Sequence, residues 1–252
     1  MIVALTIPSY ERFEINGARA VVAKSCSASI RQVLEREPLY DFAARQTDAV
    51  PLVGRAPVFA VTLPGSGGRA VVRHSMRGGW MAKISKDLFF LPTRGFRELI
   101  ASLRLRASGV STPEVLAYIS YPKNLVLRRA DVATREIPNG HDLSVALAKI
   151  TDHRHRTMVL DAVVGLLRAL TQAGAFHQDL NLKNILLTAG EGPGLDAHVL
   201  DVDRVRFSAP SSPLVAQANL DRLIRSLRKW RDLHELPFSA EDEEYLRLRS
   251  VE

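Results

Sequence analysis

The stretch Phe176-His177-Gln178-Asp179-Leu180-Asn181-Leu182-Lys183-Asn184-Ile185-Leu186-Leu187 decides how the rest of the chain is read. An Asp preceded by His at two positions, followed by Asn at five and then by an apolar run, has the pattern of a phosphoryl-transfer loop. Each residue type has a physical reason at that spacing. Asp179 accepts or orients the proton of an attacking hydroxyl. Asn184 reaches back from the same loop to hold a metal ion on the phosphates, and His177 braces the loop and the metal-binding strand through hydrogen bonds. A polar turn between a helix and a strand would also use Asp and Asn, but turn chemistry does not require this spacing.

Downstream, Val199-Leu200-Asp201-Val202-Asp203-Arg204 places an Asp at the end of an apolar, strand-like run that continues to Phe207. A kinase needs a second metal ligand there, and Asp201 takes the position of the Asp in Asp-Phe-Gly. Asp203 stands where that motif has glycine, so activation by flipping this segment is not expected. The competing reading is a pair of strand-end aspartates facing solvent.

Upstream, the same chemistry demands a cation for the nucleotide phosphates and a carboxylate to position it. Glu98, on a helix marked by Phe96, Leu99, Ile100, Leu103 and Ala107 with Gly109 as its C-cap, is the natural carboxylate. Two cations compete. Arg73 ends the β-rich run from Ala70, after the turn Gly65-Ser66-Gly67-Gly68 that joins it to Val58–Leu63 in a hairpin. Lys83 follows Trp80-Met81-Ala82, after Gly78-Gly79. Arg73 suits the hairpin better, although an Arg fork is bulkier than a Lys and always charged. Gly65, Gly67 and Gly68 would let backbone amides approach the phosphates, or would serve as a plain flexible turn.

Residues 1–54 form an N-terminal segment of unassigned role, with a strand at Ala18–Lys24 and a helix over Ile30–Ala44. Strands are predicted at Val115–Ile119, Leu125–Leu127 and Val132–Arg135. Pro138-Asn139-Gly140 is a break that separates a sheet-rich part, 55–138, from a helical part, 139–252. A long helix carries Val159, Val163, Leu166, Leu167 and Leu170 and ends at Gly174. A last major helix buries Leu220, Leu223, Ile224, Leu227 and Trp230, with Arg222, Arg225, Arg228, Lys229 and Arg231 on other faces. The fold class is α+β: a protein-kinase-like bilobal fold with a sheet-rich N-lobe, a mainly helical C-lobe and the ATP site in the cleft between.

The 252 residues carry a formal charge of +7, which favours an anionic partner without choosing one. A single cysteine, Cys26, leaves no intramolecular disulfide and no Cys-based zinc cluster. The apolar start, Met1–Ile7, lacks a basic flank and is too short for a signal peptide or a membrane span, which predicts work in the cytoplasm. No aromatic-interleaved basic motif supports nucleic-acid binding. No Ala-Pro-Glu segment follows Asp201 to build a peptide-docking platform, which argues against a protein kinase.

The chain resembles the lipopolysaccharide kinase family, most closely its 3-deoxy-D-manno-octulosonic acid (Kdo) kinase branch. The strings that carry this are Arg73-His74 with Arg77-Gly78-Gly79, Ala82-Lys83, Phe96-Arg97-Glu98 and Gly109-Val110 with Pro113. They continue in the His177–Leu187 loop, in Leu200–Arg204, and in Asn219-Leu220-Asp221-Arg222-Leu223-Ile224-Arg225-Ser226-Leu227-Arg228-Lys229. The resemblance spans roughly residues 55–232. It implies an Arg at position 73 where other kinases have their ATP lysine, with ATP and Mg²⁺ as cofactors. It also implies transfer of the γ-phosphate to the 4-hydroxyl of a lipid-linked Kdo acceptor, by an enzyme peripheral on the cytoplasmic face of the inner membrane. The basic helix Arg222–Arg231 would then meet the anionic membrane surface, at about 1 kcal/mol per basic residue; a solvated helix face reads equally well. An aminoglycoside-type phosphotransferase would share Asp179, Asn184 and Asp201 and differ in its acceptor pocket. A non-catalytic nucleotide-binding module would have no use for Asp179.

Overall fold

A computed structural model of the protein describes residues 7–52, 57–65, 68–74, 94–122, 128–190 and 192–251. Gly67, Lys83, the Arg77-Gly78-Gly79 string, the run from Trp80 and the strand expected at Leu125–Leu127 lie outside them. The chain divides into two compact units, Met1–Leu99 with Glu114–Glu136, and Ile100–Pro113 with Ile137–Glu252.

The first unit is built on a sheet of seven strands among the described residues. They are β1 (Tyr10–Ile15), β2 (Ala18–Ala23), β3 (Val50–Leu52), β4 (Val58–Thr62), β5 (Arg69–His74), β6 (Val115–Pro122) and β7 (Arg128–Arg135). Their order is β1-β2-β6-β7-β5-β4-β3. The opening segment therefore supplies both edges of this sheet. Its first hairpin turns on Asn16-Gly17, with φ of 50° and 77°; a type I′ turn needs positive φ at both central positions, and Asn-Gly adopts them at least cost. The helix expected over Ile30–Ala44 is two helices, α1 (Ser27–Leu34) and α2 (Leu39–Arg45). Pro38 separates them: it sits extended at φ −60°, ψ 145° and can begin a helix but not continue one.

Helix α3 (Arg94–Ala107) runs from the first unit into the second. Its start lies close to the sheet because Gly95 has no side chain. A Cβ there would stand 2.7 Å from a methyl of Val132 and 2.9 Å from the ring of Tyr118. Its end is fixed by Gly109 at φ 77°, beyond which the Val110 amide donates to Leu105 O at 2.9 Å.

The second unit holds β8 (His141–Asp142), α4 (Leu143–Ala148), α5 (His153–Gln172), β9 (Ala175–His177), β10 (Ile185–Ala189), β11 (Leu195–Val199), β12 (Val205–Phe207), α6 (Pro213–His234) and α7 (Ala240–Val251). Its core joins Val159, Val163 and Leu167 of α5 to Leu223 and Leu227 of α6, with Ile185 and Val199 of the β10–β11 hairpin. Gly174, at φ 64°, turns the chain from α5 into β9, and a Cβ there would meet Ser208 O at 2.5 Å. The strand expected from Val199 to Phe207 is interrupted: β11 stops at Val199, and β12 begins only after a 3-10 turn at Val202–Arg204. The expected α+β class, sheet-rich first and helical after, is borne out.

Candidate active site

In the second unit the 176–187 stretch folds as strand, loop, 3-10 turn and strand. His177 ends β9 and is fully buried. Its Nε2 donates to Leu200 O at 3.0 Å, and its Nδ1 accepts from the backbone N–H of Asp179 at 3.2 Å. Both ring nitrogens are used, in the neutral form with the proton on Nε2. Burial pushes the imidazole pKa down, against the pull of the Leu200 carbonyl and of Asp201 and Asp179. His177 therefore touches the backbone on either side of the chemistry, and it positions groups more than it reacts.

Asp179 O gathers the loop. It accepts from Asn181 Nδ2 and from Asn184 Nδ2, each at 2.9 Å. The Asn184 nitrogen is spent there, which leaves its side-chain oxygen as the candidate ligand. The β10–β11 register sets Ile185 against Val199, and Leu200 N donates to Asn184 O at 2.9 Å. Asn184 and Asp201 are thus brought together by backbone pairing, although they are separated in sequence. Asp201 is exposed and left-handed, at φ 55° and ψ 49°, and its side chain makes no capping bond. One carboxylate and one amide oxygen suit Mg²⁺, which prefers hard oxygen ligands and keeps several waters. No cluster of three or more His, Cys, Asp or Glu suited to a metal occurs among the described residues, so the phosphates and water would complete the shell. Asp203 lies in the 3-10 turn, half-buried and engaged with its surroundings.

Three residues that support this loop were not singled out as site residues in the sequence. Asn181 caps the 3-10 turn, its Oδ1 accepting from Lys183 N at 2.9 Å. Lys183 ties the loop to the start of α4, with Nζ 2.7 Å from Ser144 Oγ and 3.0 Å from Asp142 Oδ2. Its ammonium also lies 4.8 Å from the Trp230 ring centroid. Asn219, on α6, is fully buried; its Oδ1 accepts from His177 N at 3.0 Å and its Nδ2 donates to Ala175 O at 2.8 Å. A signal for Asn219 does exist: four and eight residues before Leu223 and Leu227, it is a polar residue on an apolar stripe. Replacing it by Leu leaves two buried backbone groups unpaired. Denaturant unfolding of Asn219→Leu should show a loss of about 2–4 kcal/mol, and a loss below ~0.5 kcal/mol would remove Asn219 from this role.

In the first unit, Arg73 at the end of β5 forms an ion pair with Glu98 of α3, its Nη2 reaching both carboxylate oxygens. Glu98 is buried, 5% exposed, and a buried carboxylate needs such a partner. Of the glycine turn, Gly65 stands at φ 69° with open space around it, and Gly68 O accepts from Leu63 N at 3.1 Å. On α6, three of the five basic residues have partners within the unit. Arg222 lies over Phe176, Arg228 pairs with Glu243, and Arg231 with Asp232; Arg225, Arg228, Lys229 and Arg231 are all exposed. Among the described residues, no helix is long and apolar enough to cross a membrane.

With this geometry in hand, known proteins give a consistent comparison. The profile of the lipopolysaccharide kinase (Kdo/WaaP) family matches residues 56–247. A 3-deoxy-D-manno-octulosonic acid kinase of Vibrio vulnificus (strain YJ016) is 32% identical over 182 residues, 71% of this chain and 72% of that one. One from Haemophilus influenzae (strain ATCC 51907 / DSM 11121 / KW20 / Rd) is 32% identical over 168 residues, 65% of this chain and 67% of that one. Among solved structures, WaaP in complex with acyl carrier protein superposes with a TM-score of 0.60 at 17% identity, covering 92% of this chain and 88% of that one. That likeness shows the fold, which is protein-kinase-like. The chain belongs to the lipopolysaccharide kinase (Kdo/WaaP) family and is a phosphotransferase acting on a hydroxyl group.

Proposed function

We propose that the protein transfers the γ-phosphate of ATP, with Mg²⁺, to the 4-hydroxyl of a Kdo residue on a lipid A precursor. The observation that carries the reading is the Asp179–Asn184–Asp201 arrangement in a chain whose curated relatives are Kdo kinases. Phosphoryl transfer asks a protein mainly for positioning and charge stabilisation. Asp179 takes or orients the proton of the acceptor hydroxyl. Asn184 Oδ1 and the Asp201 carboxylate would hold Mg²⁺, whose chemistry is to neutralise charge on the phosphate oxygens. Arg73, set by Glu98, is the cation for the nucleotide phosphates; Lys83 is the other candidate. Gly65, Gly67 and Gly68 would admit backbone amides to the same phosphates, and His177 positions Asp179 and Leu200.

The acceptor is lipid-linked, so the enzyme would work as a peripheral protein on the cytoplasmic face of the inner membrane. Of the exposed α6 cations, Arg228 and Arg231 pair with carboxylates, and Arg225 and Lys229 would meet an anionic surface. Mass spectrometry of a Kdo-bearing lipid A precursor incubated with enzyme, ATP and Mg²⁺ tests the reading. A mass gain of one phosphoryl group, mapped to the Kdo 4-position, is the expected result. ADP release with an unchanged precursor would mean a different acceptor.

A further inference from the structure

Helix α2 lies in the segment that precedes the family match, which begins at residue 56. It nevertheless meets the strand that carries Arg73. In the β5–β7 register, Arg73 faces Val132 and His74 faces Asp131. Successive strand residues point to opposite faces, so Arg73 and its partner Glu98 lie on one side of the sheet and His74 on the other.

Asp131 is fully buried, and a carboxylate there must be surrounded by donors. His74 Nδ1 lies 2.7 Å from Asp131 Oδ1, and the Tyr40 N–H donates to Oδ2 at 3.1 Å. The Tyr121 hydroxyl accepts from Leu39 N at 2.9 Å, and burial together with the nearby Asp131 carboxylate pushes its pKa up. Leu39 and Tyr40 are the first two residues of α2, and Pro38 before them provides no side-chain cap. The first two amides of this helix are therefore capped by sheet residues. The His74 ring stacks on Tyr40 with centroids 3.5 Å apart. Arg129 Nη2 completes the set, 2.7 Å from His74 Nε2. Both nitrogens and one face of the His74 ring are committed: Nε2 accepts from Arg129, and Nδ1 lies against the Asp131 carboxylate.

We propose that α2 and the Asp131–His74 pair are positioning elements for Arg73, fixing the end of β5 from the far face of the sheet so that the guanidinium meets the nucleotide phosphates. Glu98 orients the head of a long, flexible side chain; it cannot place the backbone from which that side chain springs. The Asp131–His74 pair and α2 do this, and they give the N-terminal segment a part in ATP binding. The proposal rests on the kinase reading and on Arg73 as the phosphate cation.

Calorimetric titration of the full-length protein with Mg·ATP tests it, beside kcat and KM for ATP. His74→Leu should weaken Mg·ATP by about tenfold, as loss of a supporting partner does, with kcat at saturating ATP nearly unchanged. His74→Asn keeps an N–H towards Asp131 and should restore most of the affinity. The double variant Arg73→Ala/His74→Leu should bind no more weakly than Arg73→Ala alone, because one residue acts through the other. Should His74→Leu not fold, Tyr40→Leu removes the stacked ring while keeping the amide, and should shift affinity in the same direction. Additive losses in the double variant overturn the proposal, as does unchanged affinity in His74→Leu or Tyr40→Leu while Arg73→Ala binds poorly. Wild-type protein that binds no Mg·ATP overturns the kinase reading itself, which separates the two failures.

Discussion

Asp179→Asn should lower turnover by about 10²–10⁴-fold, the range for loss of a general base, while Mg·ATP affinity stays near that of the wild type. The split follows from where the groups lie. The backbone of residue 179 does the structural work: its N–H goes to His177, and its carbonyl collects Asn181 and Asn184. Asn at 179 preserves every one of those bonds, so the loop and the metal-ligand candidate Asn184 stay in place. Only the acceptor proton loses its destination. Steady-state kinetics with nucleotide titration in parallel would check both halves. Turnover close to wild type would remove Asp179 from its role.

Asp201→Asn should weaken Mg·ATP binding, and transfer should fall by about 10²–10³-fold even at saturating nucleotide, equivalent to ~3–4 kcal/mol. The fold should be little affected, since Asp201 is exposed, makes no capping bond, and Asn tolerates the same left-handed backbone. Asp203 is the control. It is half-buried in the following 3-10 turn and engaged with its surroundings, so Asp203→Asn should act mainly on stability and more mildly on rate. If Asp203→Asn abolishes transfer while Asp201→Asn is tolerated, the metal ligand is Asp203 and the motif register moves by two residues. Titration of Mg²⁺ at fixed ATP distinguishes these outcomes.

The sequence disclosed the parts whose chemistry forces a short, fixed spacing. His177, Asp179 and Asn184 stand in one short stretch, and their separations are those that the proposed base and metal ligand would need. Helices α5 and α6 were legible because each carries an apolar stripe of helical period. What escaped was set by neighbours distant along the chain. Asn219 supports His177 from 42 residues away, a relation that no local pattern encodes. Asp131 looks like an ordinary strand polar residue until β7 is laid beside β5 and under α2. The interruption at Leu200–Arg204 was hidden because Val199, Val202, Val205 and Phe207 favour strand locally, whereas the left-handed Asp201 turns the chain. In the opening segment, Asn16-Gly17 was a readable hairpin signal and Pro38 a readable helix boundary; both are short features within weakly patterned sequence.

The left-handed backbone at Asp201 sets selection for robustness against selection for activity. A residue with a Cβ in that region carries a conformational cost of about 1 kcal/mol, relieved by glycine and eased by asparagine. Neither substitute offers a carboxylate to a divalent ion. With Asp201 as the proposed metal ligand, a library screened for thermal resistance alone would drift towards Gly or Asn at 201 and return well-folded proteins whose transfer is lowered by about 10²–10³-fold. One screened for transfer would keep Asp and accept the strain.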